Sequence, residues 1–214
     1  MKAVIFDMNG VLINDEPYHK EAWKIFCARH GLSFNEQGFN EYCMGRTNRE
    51  ILRYLFHEEL SDEQDRTLRE ERIGYSKSLL PKILPAPDGL DVFLNGLRKR
   101  KFKLAVATSS QRDYADFVLE KYGFRKYFDT VVTAGDVTKS KPDPEIYVTA
   151  AERIQTSPSD CLVIEDSMSG IHAAKTAGMK VFGITTSHGP LELAEADQVI
   201  ASFTDIDIEA LEKM

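Results

Sequence analysis

An α/β fold, with a Rossmann-like parallel sheet core and an inserted α-helical cap domain, is what this 214-residue sequence predicts. Three observations lead there. Short apolar, β-rich runs recur at 2–6, 103–107, 130–133, 162–165, 180–184 and 198–200. From 103 onward they alternate with helical patterns at 112–122, 145–153 and 170–177, and strand, helix, strand repetition demands right-handed crossovers and a parallel sheet. Between 15 and 81 the pattern changes to amphipathic helical stretches with no convincing strand.

The first run, Val4, Ile5 and Phe6, is apolar throughout, as expected of a strand covered on both faces. It delivers Asp7 into a turn that ends at Gly10, and open α/β sheets present chemistry at the carboxyl ends of their strands. Helical patterns at 18–30, 49–56 and 62–80 follow. Trp23, Phe26 and Cys27 share one helical face there, as do Ile51, Leu52 and Leu55, and Trp23 reads as core. The three prolines of LLPKILPAPDG make a stiff return hinge, and the segment around Asn14 makes the other. The division expected is therefore a catalytic core at 1–14 and 82–214, with the cap at 15–81.

Past the hinge, KLAVATSS is a strand ending in Thr108 and Ser109, where the backbone N–H of Ser109 is expected to open a helix and offer an anion site. SKPDP places Lys141 in a loop whose backbone is restricted by Pro142 and Pro144. CLVIEDSMSG is a further strand, ending in Glu165 and Asp166. Each of these residues alone has an ordinary explanation as a helix cap, a turn residue or a surface charge. Their succession at strand ends of one alternating sheet is what makes them a candidate site.

Composition narrows the function classes. Hydrophobic content of 43% and charged content of 29% are those of a soluble globular protein, and a net charge of −7 repels polyanions, so neither nucleic acid nor an acidic membrane is an expected partner. A small phosphorylated ligand responds to local donors instead. The N-terminal MKAVIFD is too short an apolar run for a signal peptide, and no stretch nears the roughly 18 apolar residues of a spanning helix, so a cytoplasmic protein is expected. Cys27, Cys43 and Cys161 lack metal or disulfide spacing and read as reduced thiols. A monomer acting on a small molecule is the expectation.

The four motifs that end in Asp7, in Thr108 and Ser109, in Lys141, and in Glu165 and Asp166 together resemble those of the haloacid dehalogenase superfamily, over nearly the whole chain. The segments EPYHKEAW and MGRTNRE are similar to cap segments of its β-phosphoglucomutase and sugar-phosphate phosphatase branch. The resemblance implies that Asp7 attacks phosphorus to form an aspartyl phosphate, splitting one difficult displacement into two. It implies Mg²⁺ held by Asp7, Asp166 and the backbone carbonyl of Asn9, with Glu165 as a further ligand or just behind. Thr108 would hydrogen-bond a phosphoryl oxygen, and Lys141 would bridge that group and Asp7. In the cap, His19, Gly45, Arg46, Thr47 and Arg49 are the implied substrate contacts, Arg46 and Arg49 competing for a distal phosphate or hydroxyl.

One position departs from the pattern. Where the superfamily's phosphatases and mutases carry a second aspartate, the general acid/base, this chain has Asn9. An amide donates a hydrogen bond but exchanges no proton at neutral pH, a loss of about 10² to 10⁴ in rate for a substrate that needs one. Three readings stay open: a substitution that traps a complex, drift toward a slow or purely binding role, or a substrate whose leaving group needs no proton. The favoured function is a Mg²⁺-dependent phosphatase of a small phosphorylated metabolite, of the sugar-phosphate kind. A phosphomutase and a phosphometabolite-binding protein are the rivals. The Glu165 and Asp166 pair argues against metal-free dehalogenation, and the lack of GxGxxG after the first strand argues against a dinucleotide site.

Overall fold

The computed structural model describes residues 1–35 and 48–214. Two compact units are present, one formed by 1–14 and 83–214, the other by 15–82. In chain order the elements are β1 (Ala3–Phe6), α1 (Glu16–Arg29), α2 (Asn48–Phe56), α3 (Asp62–Leu79), α4 (Leu90–Lys99), β2 (Lys103–Ala107), α5 (Arg112–Lys121), β3 (Thr130–Val132), α6 (Glu145–Arg153), β4 (Cys161–Glu165), α7 (Met168–Thr176), β5 (Lys180–Ile184), β6 (Gln198–Ile200) and α8 (Ile208–Lys213).

The larger unit holds one six-stranded sheet in the order β3-β2-β1-β4-β5-β6, with every pairing parallel. From β1 the chain works outward through β2 and β3, then crosses to the other side of β1 and works outward again. The reversal lies between β1 and β4, where the carboxyl ends of an open sheet leave a crevice for ligands. Phe6 pairs with Val106 on one side and Ile164 on the other, so the next residue, Asp7, emerges beside Ala107 and Glu165. The strands are apolar on both faces because both are covered. Ala3, Ile5, Ala105 and Val163 pack with Ile146, Tyr147 and Ala150 of α6 and Ile171 and Ala174 of α7. On the opposite face the Phe6 ring meets Phe93 of α4 at 6.1 Å, Phe128 at 5.7 Å and Phe203 at 6.4 Å, a burial of roughly 1.5–3 kcal/mol for such a side chain.

Three local differences from the sequence expectations have local causes. The third strand stops at Val132 because Thr133 leaves the ladder to cap the next turn, its backbone N–H and hydroxyl both donating to Asp136 at 2.8 Å. α7 starts at Met168, earlier than 170, because the Ser167 hydroxyl caps it by accepting from the Gly170 N–H at 3.1 Å. α4 and α8 were not expected. The signal for α4 was available, since Leu90, Phe93, Leu94 and Leu97 follow helical spacing and all are buried.

In the helical unit, Trp23, Phe26 and Cys27 of α1 and Ile51 and Leu52 of α2 form the core with Leu60. Trp23 packs edge-on against Phe26 at 5.4 Å and carries the Arg72 guanidinium 4.8 Å above its ring, so it is core. α3 opens with a capping box between Ser61 and Gln64. Cys27 and Cys161 are buried free thiols, and burial pushes Cys161 up to about 11; Cys43 lies outside the described residues. Among the described residues no helix is long and apolar enough to cross a membrane.

Candidate active site

Four chain segments converge at the carboxyl ends of β1 and β4. The Asp7 N–H donates to the Ile164 carbonyl at 3.0 Å, which extends the sheet by one rung and fixes Asp7 at the crevice. Lys141 comes from the connection between β3 and α6. The Glu145 carboxylate ties that connection down by accepting from the Thr138 N–H at 2.9 Å and the Lys139 N–H at 2.8 Å. The Lys141 ammonium donates to Asp7 Oδ1 at 2.6 Å, to Glu165 Oε1 at 2.7 Å and to the Ala107 carbonyl at 3.2 Å. Its three hydrogens are matched to three acceptors.

Glu165 is bonded at both oxygens. Oε1 accepts from Lys141 and from the Tyr147 hydroxyl at 2.8 Å, while Oε2 accepts the N–H groups of Asp166 and Ser167 and the Ser167 hydroxyl, each at 2.8 Å. That set leaves Glu165 no oxygen for a cation, and its place is behind the site, holding Lys141. Sequence reading missed Tyr147 and Ser167, whose roles depend on contacts to Glu165. Gly170 was missed too: a Cβ there would fall 1.7 Å from Glu165 Oε1. Gly170→Ala is therefore expected to push Glu165 aside and, through it, Lys141, lowering kcat by about tenfold or more with little change in KM. Steady-state kinetics beside a thermal melt check this, and unchanged kcat in a folded variant would contradict it.

Asp166 faces Gly10. Gly10 has φ +73°, and a Cβ on it would lie 1.8 Å from Asp166 Oδ2, so only glycine allows the two turns to close on each other. The loop after β5 adds three further ties. Thr186 donates its hydroxyl to the Gly10 carbonyl, Ser187 hydrogen-bonds the Asp166 carboxylate, and His188 Nδ1 lies 2.8 Å from the Asp166 carbonyl.

Among the described residues the charges at the site do not balance. Asp7, Glu165 and Asp166 are buried beside a single ammonium. Burial raises Asp7 to about 6 in spite of the opposing pull of Lys141. Burial opposes ionisation of Glu165 too, but Lys141 and the Ser167 bonds outweigh it and hold Glu165 low. Burial also works against the Lys141 charge, yet Asp7 and Glu165 keep it well above its ordinary value. Asp166 is raised well above its ordinary value by burial first, then by repulsion from Glu165 and Asp7. Two adjacent buried carboxylates with raised proton affinity are a donor set that fits a hard divalent cation. Among the described residues no three His, Cys, Asp or Glu side chains form a metal cage. Asp7 and Asp166 would thus be the side-chain ligands, with backbone and solvent oxygens completing the shell as Mg²⁺ prefers.

On the other flank, Thr108 follows β2 and is fully buried, its N–H bonded to the Val132 carbonyl at 3.0 Å. Its hydroxyl accepts from the Ser110 N–H at 3.1 Å and donates to Asn9 Oδ1 at 3.3 Å; Ser110 donates its own hydroxyl to the same oxygen at 2.8 Å. Ser110 was not singled out from sequence. Ser109 differs from expectation. It lies in an exposed bend, and α5 begins at Arg112 behind Gln111 as N-cap, so the helix terminus does not reach Ser109.

Of the residues expected to meet substrate in the helical unit, His19 is engaged at both ring nitrogens, Nε2 with Asp15 at 3.0 Å and Nδ1 with Arg72 at 2.8 Å. Arg49 forms an exposed ion pair with Asp62 at 2.9 Å. Gly45, Arg46 and Thr47 lie outside the described residues.

A family model described as haloacid dehalogenase-like hydrolase matches residues 4–184. The chain belongs to this family. As a haloacid dehalogenase-like hydrolase it is similar to the validoxylamine A 7'-phosphate phosphatase of Streptomyces hygroscopicus subsp. limoneus, 34% identical over 96% of this chain and 95% of that protein. It is also similar to the β-phosphoglucomutase of Bacillus subtilis, 32% identical over 99% of this chain and 94% of that one. Among solved structures, a family IA variant 3 hydrolase from Entamoeba histolytica superposes with a TM-score of 0.91 at 32% identity, covering 100% of this chain and 98% of that one.

Proposed function

We propose that this enzyme is a Mg²⁺-dependent phosphatase of a small phosphorylated metabolite, of the sugar-phosphate kind, with Asp7 as the nucleophile. The observation that carries the reading is the Asp7 carboxylate at the sheet's switch point, held 2.6 Å from a buried ammonium, with a second buried carboxylate, Asp166, facing Gly10 beside it. Asp7, Asp166 and the Asn9 carbonyl would hold Mg²⁺, which would supply the neutralising charge that lets one anion approach another.

The chain's own residues do the rest. Lys141 orients Asp7 and presents positive charge where phosphoryl oxygens gather. Glu165, fixed by Tyr147 and Ser167, keeps Lys141 in place. The Thr108 hydroxyl, at the other edge of the crevice, would turn its hydrogen from Asn9 Oδ1 to a phosphoryl oxygen when substrate binds. The similar validoxylamine A 7'-phosphate phosphatase supports a phosphorylated sugar-like substrate. The similar β-phosphoglucomutase favours a second reading, return of the phosphoryl group to a sugar instead of water.

A metal-dependent screen of sugar phosphates tests the function, with β-glucose 1-phosphate plus a bisphosphate primer separating mutase from phosphatase. Tight ligand binding without turnover in excess Mg²⁺ would overturn both. The metal site is checked by calorimetry. Because Asp7 and Asp166 have raised proton affinity before the cation arrives, Mg²⁺ is expected to displace protons near pH 6, so the observed heat should vary with the buffer's ionisation enthalpy. Asp166→Ala should weaken Mg²⁺ by about tenfold or more; equal affinity would exclude Asp166 as a ligand.

A further inference from the structure

Asn9 sits two residues past the nucleophile, at the edge of the crevice facing the end of β2. Its side chain is oriented by two hydroxyls. Thr108 Oγ1 takes the Ser110 N–H, which leaves its hydrogen for Asn9 Oδ1, and the Ser110 hydroxyl donates to that same oxygen. Both donors meet the oxygen end of the amide, so the residue offers N–H donors elsewhere and no exchangeable acid. The ionised groups bonded around Asp7 do not replace it: Lys141 has three acceptors, and Glu165 is bonded at both oxygens.

We propose that this enzyme acts on phosphates whose leaving oxygen is weakly basic and departs without a proton from the protein, the Asn9 amide only hydrogen-bonding it. The inference rests on the phosphatase reading above and specifies its substrate class. Acyl phosphates and phosphoanhydrides belong to that class. Among sugars it selects the phosphorylated anomeric hydroxyl, which is more acidic than an ordinary alcohol, over a primary or secondary one.

In the first step an Asp7 oxygen forms a bond to phosphorus as the bond to the leaving oxygen breaks. The leaving oxygen keeps the electron pair and takes its proton from solvent. In the second, water attacks phosphorus, its proton passes to solvent, and the P–O bond to Asp7 breaks to return the carboxylate and release inorganic phosphate.

The test is a leaving-group series of aryl phosphates, from p-nitrophenyl phosphate to phenyl phosphate and its more basic analogues, with acetyl phosphate and glycerol phosphate as the extremes. It is run in saturating Mg²⁺ on the native chain and on Asn9→Asp. For the native chain kcat/KM should fall at least about threefold for each unit rise in leaving-group pKa, since no acid offsets the developing charge. Asn9→Asp should flatten that dependence and raise kcat/KM for the most basic leaving groups by about tenfold or more, with a much smaller gain for p-nitrophenyl phosphate. A shallow dependence in the native chain overturns the proposal, because an acid is then reaching the leaving oxygen from elsewhere. A steep dependence that Asn9→Asp leaves unchanged overturns the part given to position 9. No turnover of any member removes the phosphatase reading itself, and this inference with it.

Discussion

Asp7→Asn is expected to abolish turnover, by a factor on the order of 10⁴ or more, while leaving the protein folded and no less stable. The amide has no carboxylate oxygen with which to attack phosphorus, and the other carboxylates at the crevice are committed: Glu165 to Lys141, Tyr147 and Ser167, and Asp166 beside Gly10. The stability half follows from the charge balance. Asp7 has its folded pKa raised to about 6, so without metal it favours folding less and less as pH climbs from its unfolded value near 4 through 6. A neutral isostere removes that penalty and thins the cluster of three carboxylates around one ammonium. Thermal melts in EDTA at pH 7 should therefore show an equal or higher midpoint for the variant. Retained turnover would move the nucleophile elsewhere, and a large loss of stability would mean that the Asp7–Lys141 pair holds the fold together more than it strains it.

Lys141→Met should do the reverse, damaging stability as well as activity. Methionine matches the length of lysine but leaves Asp7 and Glu165 buried with no cation, and removing one partner of a buried pair typically costs about 3–5 kcal/mol. Loss of a preorganised charge at the phosphoryl position is expected to lower kcat by about 10² to 10³. The pH dependence distinguishes this from simple loss of packing. Without Lys141 the folded pKa of Asp7 rises further, and that of Glu165, which Lys141 helps to hold low, rises as well. The variant should then lie closest to the native chain at the acid end, where both carboxyls are protonated, and fall behind as pH rises. Denaturant unfolding in EDTA at several pH values measures the gap. A deficit independent of pH would show that Lys141 acts through its alkyl stem.

Candidate residues that lie where their own strand ends were legible in the sequence. Asp7, Thr108 and the Glu165–Asp166 pair each close a short apolar, β-rich run that alternation with helical patterns marks as a strand, and parallel strands joined by crossovers place all their carboxyl ends along one edge of the sheet. Lys141 was legible for a related reason, since flanking prolines mark its loop as rigid rather than as a mobile surface charge. The helical nature of 15–81 was equally plain, because its apolar residues keep helical spacing without help from the rest of the chain.

The division of labour among those residues was decided only by tertiary structure. Glu165 and Asp166 are neighbours in sequence with like chemistry. One is consumed by Lys141, Tyr147 and Ser167 while the other faces Gly10 and Ser187, because successive residues leaving a strand point to opposite sides. Ser110 is unremarkable in sequence until the register of β1 beside β2 sets its hydroxyl against Asn9, and Gly170 reads as an ordinary helical glycine until Glu165 lies over it. Ser109 failed in the opposite direction, since a helix start depends on which residue first finds its bonding partner four places on, and here that lies beyond Ser109. Periodicity is a property of each segment and can be read from it, whereas a hydrogen bond between residues 99 or 101 places apart exists only once the sheet has fixed its register.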